Sequence, residues 1–240
     1  MSNYDNVEPK EKWEFDEAVA DVFENMLERS IPDYTNMRDL TVKLCDSLLL
    51  KDKRDFTLLD IGCSDGLNVD KFIYKYGSRG KYTLVDCSEA MLNKCKIKFH
   101  SYVASNMMKI LNMDLRKEFP VGYYDIITSI LTILFTPIQY RQTIIQNIYD
   151  NLSVGGVFIF VEKVLGNSAK IDSALVDNYY KMKHDNGYSY DQIERKRLSL
   201  EGVQVPVTSA WNIDLLKQAG FRQIDTFWRY LNFEGYVAIK

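Results

Sequence analysis

Short apolar runs alternate with amphipathic stretches between residues 57 and 161, and this alternation predicts a parallel β-sheet with helices on both faces. Five runs have the length of buried strands. They lie at residues 57–61, 81–86, 107–113, 124–130 and 157–161. Because parallel strands need long crossover connections, the segments between them are expected to cross over in the right-handed sense and to pack on the sheet.

Apolar residues at helical spacing predict two helices before the first strand, at residues 15–29 and 34–50, with Pro32 between them. In this position the helices can cover the end of the sheet where a ligand would lie. Packing against the body of the domain explains the same pattern equally well, so both alternatives are open.

Cap residues mark the helices between the strands. A helix near residues 67–76 follows the first strand, and Ser88 is expected to be the N-cap of the next helix. Thr136, Pro137 and Gln139 are expected to be the N-cap, the first-turn proline and the capping-box residue of a third helix.

The chain departs from the alternating pattern after residue 164. Residues 221–231 and 233–239 predict two strands joined by a short turn, and hence an antiparallel hairpin at the sheet edge. The expected fold class is therefore α/β: a Rossmann-like, seven-stranded, mostly parallel sheet with an antiparallel C-terminal hairpin and helices on both faces. A single domain is expected, comprising a helical N-terminal cap (1–52), a cofactor-binding core (53–164), a helical insertion (165–218) and the hairpin (219–240).

Composition and charge narrow the class of partner. The 240 residues are 46% hydrophobic and 26% charged, with a formal net charge of −3. A protein that binds a long polyanion needs a basic face, so this balance favours a small-molecule substrate over direct binding of nucleic acid. No stretch approaches the roughly 20 apolar residues of a membrane span, and the acidic amino terminus is unlike a secretory signal, so a cytoplasmic protein is expected.

Metal and disulfide chemistry find little support in the sequence. The four cysteines show no CxxC spacing and the only histidines are His100 and His184, so no metal site is expected and the thiols are expected to be reduced. His184 is expected to interact with carbonyl groups at a helix end rather than to act as a catalytic base.

A buried strand leads into a tight turn of small residues at 57–66. Gly62 and Gly66 allow the backbone to bend sharply and to approach a ligand without an intervening Cβ. The next strand ends in Asp86, 24 positions after Gly62, which is about the interval at which nucleotide-binding βαβ units place a carboxylate on ribose hydroxyls. Polar residues also end the other strands, at the sheet edge where such folds bind ligands: Asp114, Ser129 and Glu162.

In strand order and spacing the chain resembles the class I S-adenosylmethionine (SAM)-dependent methyltransferases. Their acid-x-Gly-x-Gly-x-Gly turn corresponds to residues 60–66, where Asp60 supplies the acid and Ser64 replaces the middle glycine. The resemblance implies that the turn holds the amino-acid end of SAM. It also implies that Asp86 accepts hydrogen bonds from the ribose hydroxyls and that Asp114 accepts one from the adenine amino group.

The flanking segments resemble one branch of that superfamily, the carboxy-S-adenosylmethionine synthases of the tRNA wobble-uridine modification pathway. The similarity covers nearly the whole chain and is carried by short motifs at residues 13–16, 26–36, 62–66, 162–163, 186–189, 196–201, 219–221 and 232–233. The resemblance implies that SAM, S-adenosylhomocysteine or carboxy-S-adenosylmethionine is the bound form of the cofactor, and that prephenate is the carboxyl donor in the carboxylating reaction.

The branch resemblance implies ligand contacts at Tyr34, residues 62–64, Asp86, Cys87, Asp114, Leu115 and Arg197. With the turn residues and the strand-four position added, the candidate cofactor-binding residues are Tyr34, Asp60, Gly62, Cys63, Ser64, Gly66, Asp86, Cys87, Asp114, Leu115, Ser129 and Arg197. Arg197 is expected to bind the extra carboxylate of a carboxylated cofactor and Tyr34 to cover the site, so these two are the candidate catalytic residues. Ser129 stands where the family has asparagine, which would allow a changed chemistry.

Each of these roles has a purely structural alternative. Arg197 can belong to a solvated, charged helix face, and Tyr34 can simply pack against its neighbours. Asp86 can be satisfied by the N-terminus of the next helix, and Asp114 can be an exposed loop acid.

Four functions are open on the sequence alone. The leading hypothesis is a SAM-dependent methyltransferase that acts on a small-molecule acceptor, and its close alternative is a carboxy-S-adenosylmethionine synthase. The minor alternatives are a non-catalytic cofactor-binding protein and a serine hydrolase. The hydrolase is considered because residues 62–66 also match the Gly-x-Ser-x-Gly motif of a nucleophile elbow. The helical insertion would suit the interface of a homodimer.

Overall fold

The computed structural model of the chain describes residue 7 and residues 11–240. Its strands are β1 (Phe56–Ile61), β2 (Gly80–Asp86), β3 (Met108–Asn112), β4 (Tyr124–Ile130), β5 (Leu152–Leu165), β6 (Val207–Thr208), β7 (Gln223–Tyr230) and β8 (Phe233–Ile239). Its helices are α1 (Glu17–Ser30), α2 (Tyr34–Leu48), α3 (Leu67–Tyr76), α4 (Glu89–Lys98), α5 (His100–Ala104), α6 (Ile138–Asn151), α7 (Ala169–Asp185), α8 (Tyr190–Leu200) and α9 (Ser209–Ala219). The prediction that the acidic amino terminus is unlike a secretory signal falls mostly on residues 1–6 and 8–10, which lie outside the described residues.

The strands form one sheet in the order β3-β2-β1-β4-β5-β8-β7, with the short β6 paired to β5 outside this path. The pairs β1–β2, β1–β4, β2–β3 and β4–β5 are parallel. β8 runs antiparallel to both β5 and β7, so the predicted edge hairpin is confirmed. The strand order reverses beside β1, and open α/β sheets bind ligands at such a switch point.

Alternation along the strands divides the core between the two faces of the sheet. In β1, Leu58 packs in the cluster that includes residues of α2, α3 and α4, whereas the next residue, Leu59, packs with residues of α6 and α9. Because both faces are covered, the central strands are continuous apolar runs, as the sequence pattern predicted. The core therefore holds β1 rigidly and aims its carboxyl end at the ligand edge of the sheet.

The sequence left open whether α1 and α2 cover the ligand end of the sheet or pack against the body of the domain, and each helix does one of the two. α2 packs in the main core, where Met37 and Cys45 are fully buried. α1 forms a separate apolar cluster with Leu67 and Met91, which lie in the first turns of α3 and α4. α1 thus covers the end of the sheet from which those helices start.

Two local predictions about helix ends have different outcomes. Ser88 is the N-cap of α4, and its Oγ accepts a hydrogen bond from the backbone N–H of Met91 at 3.3 Å, as predicted. The expected cap at Thr136 is wrong, because α6 begins at Ile138 with Pro137 in the N-cap position and no side-chain cap. Thr136 instead ends the short 3₁₀ turn before it, donating its N–H to the carbonyl of Ile133 at 2.8 Å.

The region after β4 also differs from the sequence prediction. β5 runs from Leu152 to Leu165, so Glu162 and Lys163 lie inside the strand rather than after it. α9, expected as part of the insertion, packs with α6 on the sheet face opposite α2, where Leu216 is fully buried. The amphipathic pattern of α9 predicted a helix. The surface on which the helix packs depends on α6 and on strands that are distant in the sequence.

Candidate cofactor and substrate site

The chain passes from β1 to α3 through a turn in which Gly62, Ser64 and Gly66 have positive φ, at 63°, 50° and 80°. A Cβ on Gly62 would lie 2.2 Å from Cγ2 of Thr132, and one on Gly66 would lie 2.4 Å from Cε2 of Phe99. Both distances are far below van der Waals contact, so the turn requires glycine at these two positions. Ser64 adopts the left-handed region without that freedom, and backbone strain of this kind clusters at ligand sites.

Asp60, near the end of β1, is only 2% exposed. Its Oδ1 accepts hydrogen bonds from Oγ1 of Thr128 at 2.6 Å and from Nδ2 of Asn68 at 3.3 Å. Its Oδ2 is buried and has no hydrogen-bond partner among the described residues. Burial raises the pKa of this carboxyl group to about 7. The orphaned oxygen and the glycine turn together fit the amino-acid end of SAM, whose ammonium group would complete the hydrogen bonding.

Asp86 ends β2 next to the turn. Its Oδ2 accepts a hydrogen bond from the backbone N–H of Ser64 at 2.9 Å, and its Oδ1 accepts one from the backbone N–H of Ser88 at 2.8 Å. Burial raises the pKa of Asp86. The carboxylate is therefore engaged by the start of the next helix, as the structural alternative requires. Each oxygen keeps further acceptor capacity, which leaves room for ribose hydroxyls.

Asp114 follows β3 and forms a bidentate ion pair with Arg116, with distances of 2.8 Å from Nε to Oδ1 and 2.7 Å from Nη2 to Oδ2. The hydrogen bonds from Arg116 lower the pKa of Asp114 to about 2. Cys87 is exposed and Leu115 is half-buried. Together with Asp86 these residues lie at or after the ends of the neighbouring strands β2 and β3, where the sequence resemblance places adenosine.

A cavity of about 300 Å³ opens between the turn, the front helices and the insertion. Six of the residues predicted from the sequence line it: Tyr34, Asp60, Gly62, Cys63, Ser64 and Arg197. Tyr34 is the first residue of α2, and its ring centroid lies 5.1 Å from the guanidinium carbon of Arg38. Burial raises the pKa of Tyr34, so its hydroxyl group is neutral and suited to covering the cavity rather than to abstracting a proton.

Arg197 projects from α8 at the rim of the cavity. Its side chain is 40% exposed, and it donates to both carboxylate oxygens of Glu194 at 2.8 and 2.7 Å. Both sequence alternatives are therefore realised, since Arg197 belongs to a charged helix face and also lines the cavity. An exposed ion pair is weak, so a ligand carboxylate can replace Glu194 at little cost.

Four cationic side chains line the insertion side of the cavity and are called the cationic wall below: Lys163, Lys183, Lys196 and Arg197. Asp60 and Asp65 line the opposite side, at the turn. The ring of Tyr179 lies between two members of the wall, with its centroid 4.8 Å from Nζ of Lys163 and 5.6 Å from Nζ of Lys183. Glu201 adds one acid at the end of α8. The cavity is thus acidic at the turn and mainly cationic at the insertion.

Six of the residues predicted from the sequence do not line the cavity: Gly66, Asp86, Cys87, Asp114, Leu115 and Ser129. Ser129 lies in β4, is fully buried, and does not line the cavity. Its Oγ has no hydrogen-bond partner among the described residues. Gly66 also lies outside the lining and serves to start α3.

Sequence reasoning missed the lysines of the cationic wall. The period-two alternation of β5 was a usable signal for Lys163, which shares a sheet face with Val161. Lys183 and Lys196 belong to ordinary amphipathic helices, and no local pattern distinguishes them from lysines on a solvated face.

Other chemistries find no support in the geometry. His184 lies in the last turn of α7, where its Nδ1 is 2.9 Å from the carbonyl oxygen of Tyr188 and its ring stacks on Tyr190, in agreement with the expected helix-end role. No cluster of three metal-ligating side chains occurs in the part of the chain that the structure describes. Within that same part, no helix has both the length and the apolar character needed to cross a membrane.

Comparisons with known proteins define the class. Residues 59–158 match the family model described as a methyltransferase domain. The apo structure of the SAM-dependent methyltransferase SibL has a TM-score of 0.62 at 13% identity, over 93% of this chain and 58% of that one. Human N-acetylserotonin methyltransferase in complex with SAM has a TM-score of 0.58 at 15% identity, over 93% of this chain and 54% of its own. The chain has the fold of the SAM-dependent methyltransferases and spans less than two thirds of these two larger proteins.

Similarity to curated sequences is more specific. The chain is 35% identical to the carboxy-S-adenosyl-L-methionine synthase of Methylococcus capsulatus, over 94% of this chain and 93% of that protein. It is 32% identical to the synthase of the same name from Wolinella succinogenes, over 97% and 95% of the two chains. The chain belongs to the carboxy-S-adenosyl-L-methionine synthase family. It is an enzyme that uses SAM and acts on a small-molecule substrate, so the non-catalytic and serine hydrolase alternatives are set aside.

Proposed function

We propose that this chain is a carboxy-S-adenosyl-L-methionine synthase, which carboxylates the methyl group of SAM with prephenate as the carboxyl donor. The observation that carries this proposal is the division of charge across the cavity. Acids line the turn side, where the cofactor is expected, and the cationic wall lines the other side. A neutral methyl acceptor has no need of four cations, whereas an anionic donor does.

The turn-side residues are suited to hold SAM. Oδ2 of Asp60 would accept from the ammonium group, Asp86 from the ribose hydroxyls, and Asp114 from the adenine amino group. When bound, SAM supplies a sulfonium group whose positive charge acidifies the attached methyl. The rigid turn would hold the amino-acid end of the cofactor, so that most of the acceleration would come from positioning.

The insertion-side residues are suited to hold the carboxylate that is transferred. Arg197 would exchange Glu194 for that carboxylate and bind it through two parallel hydrogen bonds. Tyr34, neutral and buried, would cover the cavity and keep water from the reacting groups. These are the catalytic roles that the sequence resemblance assigned to the two residues.

Methyl transfer to a small acceptor is the second candidate, and one observation favours it. Ser129 stands where the resemblance places an asparagine contact, yet it is fully buried in β4. A polar contact expected in the carboxylating site therefore has no counterpart here. In this second case the cationic wall would recognise an anionic methyl acceptor.

Mass spectrometry of the products separates the two candidates. Purified enzyme incubated with SAM and prephenate is expected to form carboxy-S-adenosylmethionine, phenylpyruvate and water, and SAM should remain unchanged when prephenate is omitted. Accumulation of S-adenosylhomocysteine without any carboxylated product would instead support methyl transfer. The small molecule that co-purifies with the enzyme provides an independent readout.

We further propose that the enzyme acts in the cytoplasm, where its product feeds tRNA uridine modification, and that it binds neither nucleic acid nor membranes itself. The net charge of −3 supports the absence of a polyanion-binding face. A homodimer is proposed because the insertion places α7 and α8 on the outside of the sheet domain. Light scattering and a gel-shift assay with tRNA test these points.

A further inference from the structure

Lys163 lies near the carboxyl end of β5, on the sheet face that includes Ile159 and Val161. Because successive strand residues alternate between faces, its neighbour Glu162 belongs to the other face, where it is 1% exposed. Lys163 instead lines the cavity, in register with Phe233 of β8. Glu162 thus points into the core, whereas Lys163 points into the cavity.

Among the described residues, the ammonium group of Lys163 contacts an aromatic ring and forms no ion pair with a carboxylate. Its Nζ lies 4.8 Å from the ring centroid of Tyr179 on α7. Asp172, also on α7, acts on it electrostatically, but an oxygen of that carboxylate accepts the backbone N–H of Gly166 at 2.7 Å. Within residue 7 and residues 11–240, no acidic side chain forms an ion pair with Lys163. Burial lowers its pKa to about 8.

Other partly buried lysines of this chain have carboxylate partners. Nζ of Lys53 lies 2.5 Å from Asp125, and Nζ of Lys71 lies 2.7 Å from Asp39. Burial lowers the pKa of Lys163, and no described residue gives it such a partner. Burying a cation without an ion-pair partner is costly in free energy. Such a cation on the wall of a cavity is therefore a candidate for binding an anionic ligand.

We propose that Lys163 is a second carboxylate anchor of the site, which makes the enzyme selective for dicarboxylic donors. The inference rests on the proposed function. Arg197, at the rim, binds the carboxylate that is transferred, and Lys163, deeper in the cavity, binds the carboxylate that stays on the donor. The ring of Tyr179 holds the ammonium group in place through a cation–π contact when the cavity has no anion. Two cations on separate elements favour a ligand with two carboxylates over a ligand with one.

Isothermal titration calorimetry tests the anchor without turnover, using enzyme saturated with S-adenosylhomocysteine, which has no methyl group to carboxylate. Prephenate should bind Lys163→Met at least about tenfold more weakly than wild type. Lys163→Arg should recover part of that loss. Lys170→Met is the matched control, because Lys170 is an exposed lysine on α7 that does not line the cavity. It should bind prephenate as wild type does.

Phenylpyruvate separates the two anchors, because it keeps the side-chain carboxylate of prephenate and lacks the carboxylate on the ring. Lys163→Met should weaken its binding, whereas Arg197→Ala should leave it nearly unchanged.

Equal affinity of wild type and Lys163→Met for prephenate or phenylpyruvate would overturn the anchor. Loss of S-adenosylhomocysteine binding in Lys163→Met would also overturn it, because the residue would then have a structural role. A wild-type enzyme that binds S-adenosylhomocysteine but not prephenate would overturn the proposed function and the anchor with it. A failure confined to Lys163→Met would leave the proposed function standing.

Discussion

The two sides of the cavity are built in different ways. The turn side is one continuous segment, residues 60–66, whose backbone is constrained by positive φ angles and by the close approach of Thr132 and Phe99. The cationic wall is assembled from β5, α7 and α8, which are separate elements of the chain. Under the proposed function, cofactor recognition would be local and rigid, whereas substrate recognition would depend on how the insertion packs over the sheet.

Gly62→Ala is expected to have the largest effect, because it disrupts the turn side directly. The new Cβ would lie 2.2 Å from Thr132 at a φ of 63°, so the turn must distort. SAM affinity measured by calorimetry should fall by about 1000-fold. Gly202→Ala is the matched control, since its φ is 76° and nothing lies within 4 Å of an added Cβ.

The control separates backbone strain from steric clash. Gly202→Ala should cost only about 1 kcal/mol of stability and leave SAM binding intact. If Gly62→Ala bound SAM as tightly as Gly202→Ala, the turn would not be the cradle of the cofactor.

A pH experiment tests the charge of the turn side. The folded-state pKa of Asp60, about 7, lies above its ordinary value of 3.8, so folding favours the protonated form. The stability from this group is fully present below about pH 4 and is lost as the pH rises through 7. Between pH 5 and 8 the unfolding free energy of cofactor-free wild type should therefore fall by about 2–3 kcal/mol relative to Asp60→Asn.

Urea unfolding of both proteins at the two pH values measures this difference. Glu162, whose pKa burial raises to about 8, is common to both proteins and cancels in the comparison. Parallel pH profiles would show that Asp60 is ionised in the folded state without a cofactor.

On the insertion side, Arg197→Ala should lower the rate of carboxylated product formation by about 30-fold, through the loss of a bidentate, charge-assisted contact. Its SAM affinity should change by less than about twofold, which distinguishes Arg197→Ala from Gly62→Ala.

Glu194→Gln sharpens the test, because it removes the carboxylate that competes for Arg197. This variant should bind prephenate slightly more tightly, by about twofold. An unchanged product rate in Arg197→Ala would remove Arg197 from the mechanism.

The smallest effect is expected outside the turn, at Asp114, where the adenine amino group is proposed to bind. Arg116→Ala removes the ion pair that occupies both oxygens of Asp114 and lets the pKa of Asp114 return from about 2 toward its ordinary value. The freed carboxylate should accept the adenine amino group more readily and raise SAM affinity by about two- to threefold. Weaker SAM binding in calorimetry would show instead that Arg116 contributes to the site.

The sequence predicted the elements that have strong local signals. The bounds of β4 and α3 and the Ser88 cap agree with the structure, because a buried strand, an amphipathic helix and a capping hydroxyl each depend on a few neighbouring residues. The Thr136 cap failed because the adjacent 3₁₀ turn uses that residue. α9 was assigned to the insertion because its apolar stripe is compatible with either location.

The same limit applies to the site. Glycines that must adopt positive φ and acids that end parallel strands can be recognised from local sequence, so the sequence alone predicted the turn and Asp86 as a cofactor cradle. The structure brings the two into hydrogen-bond contact. The lysines of the cationic wall look like any solvated lysines until α7 and α8 fold back over β5. Only the tertiary structure could select them. The burial that lowers the pKa of Lys163, and its lack of an ion-paired carboxylate among the described residues, depend on contacts between elements distant in the chain.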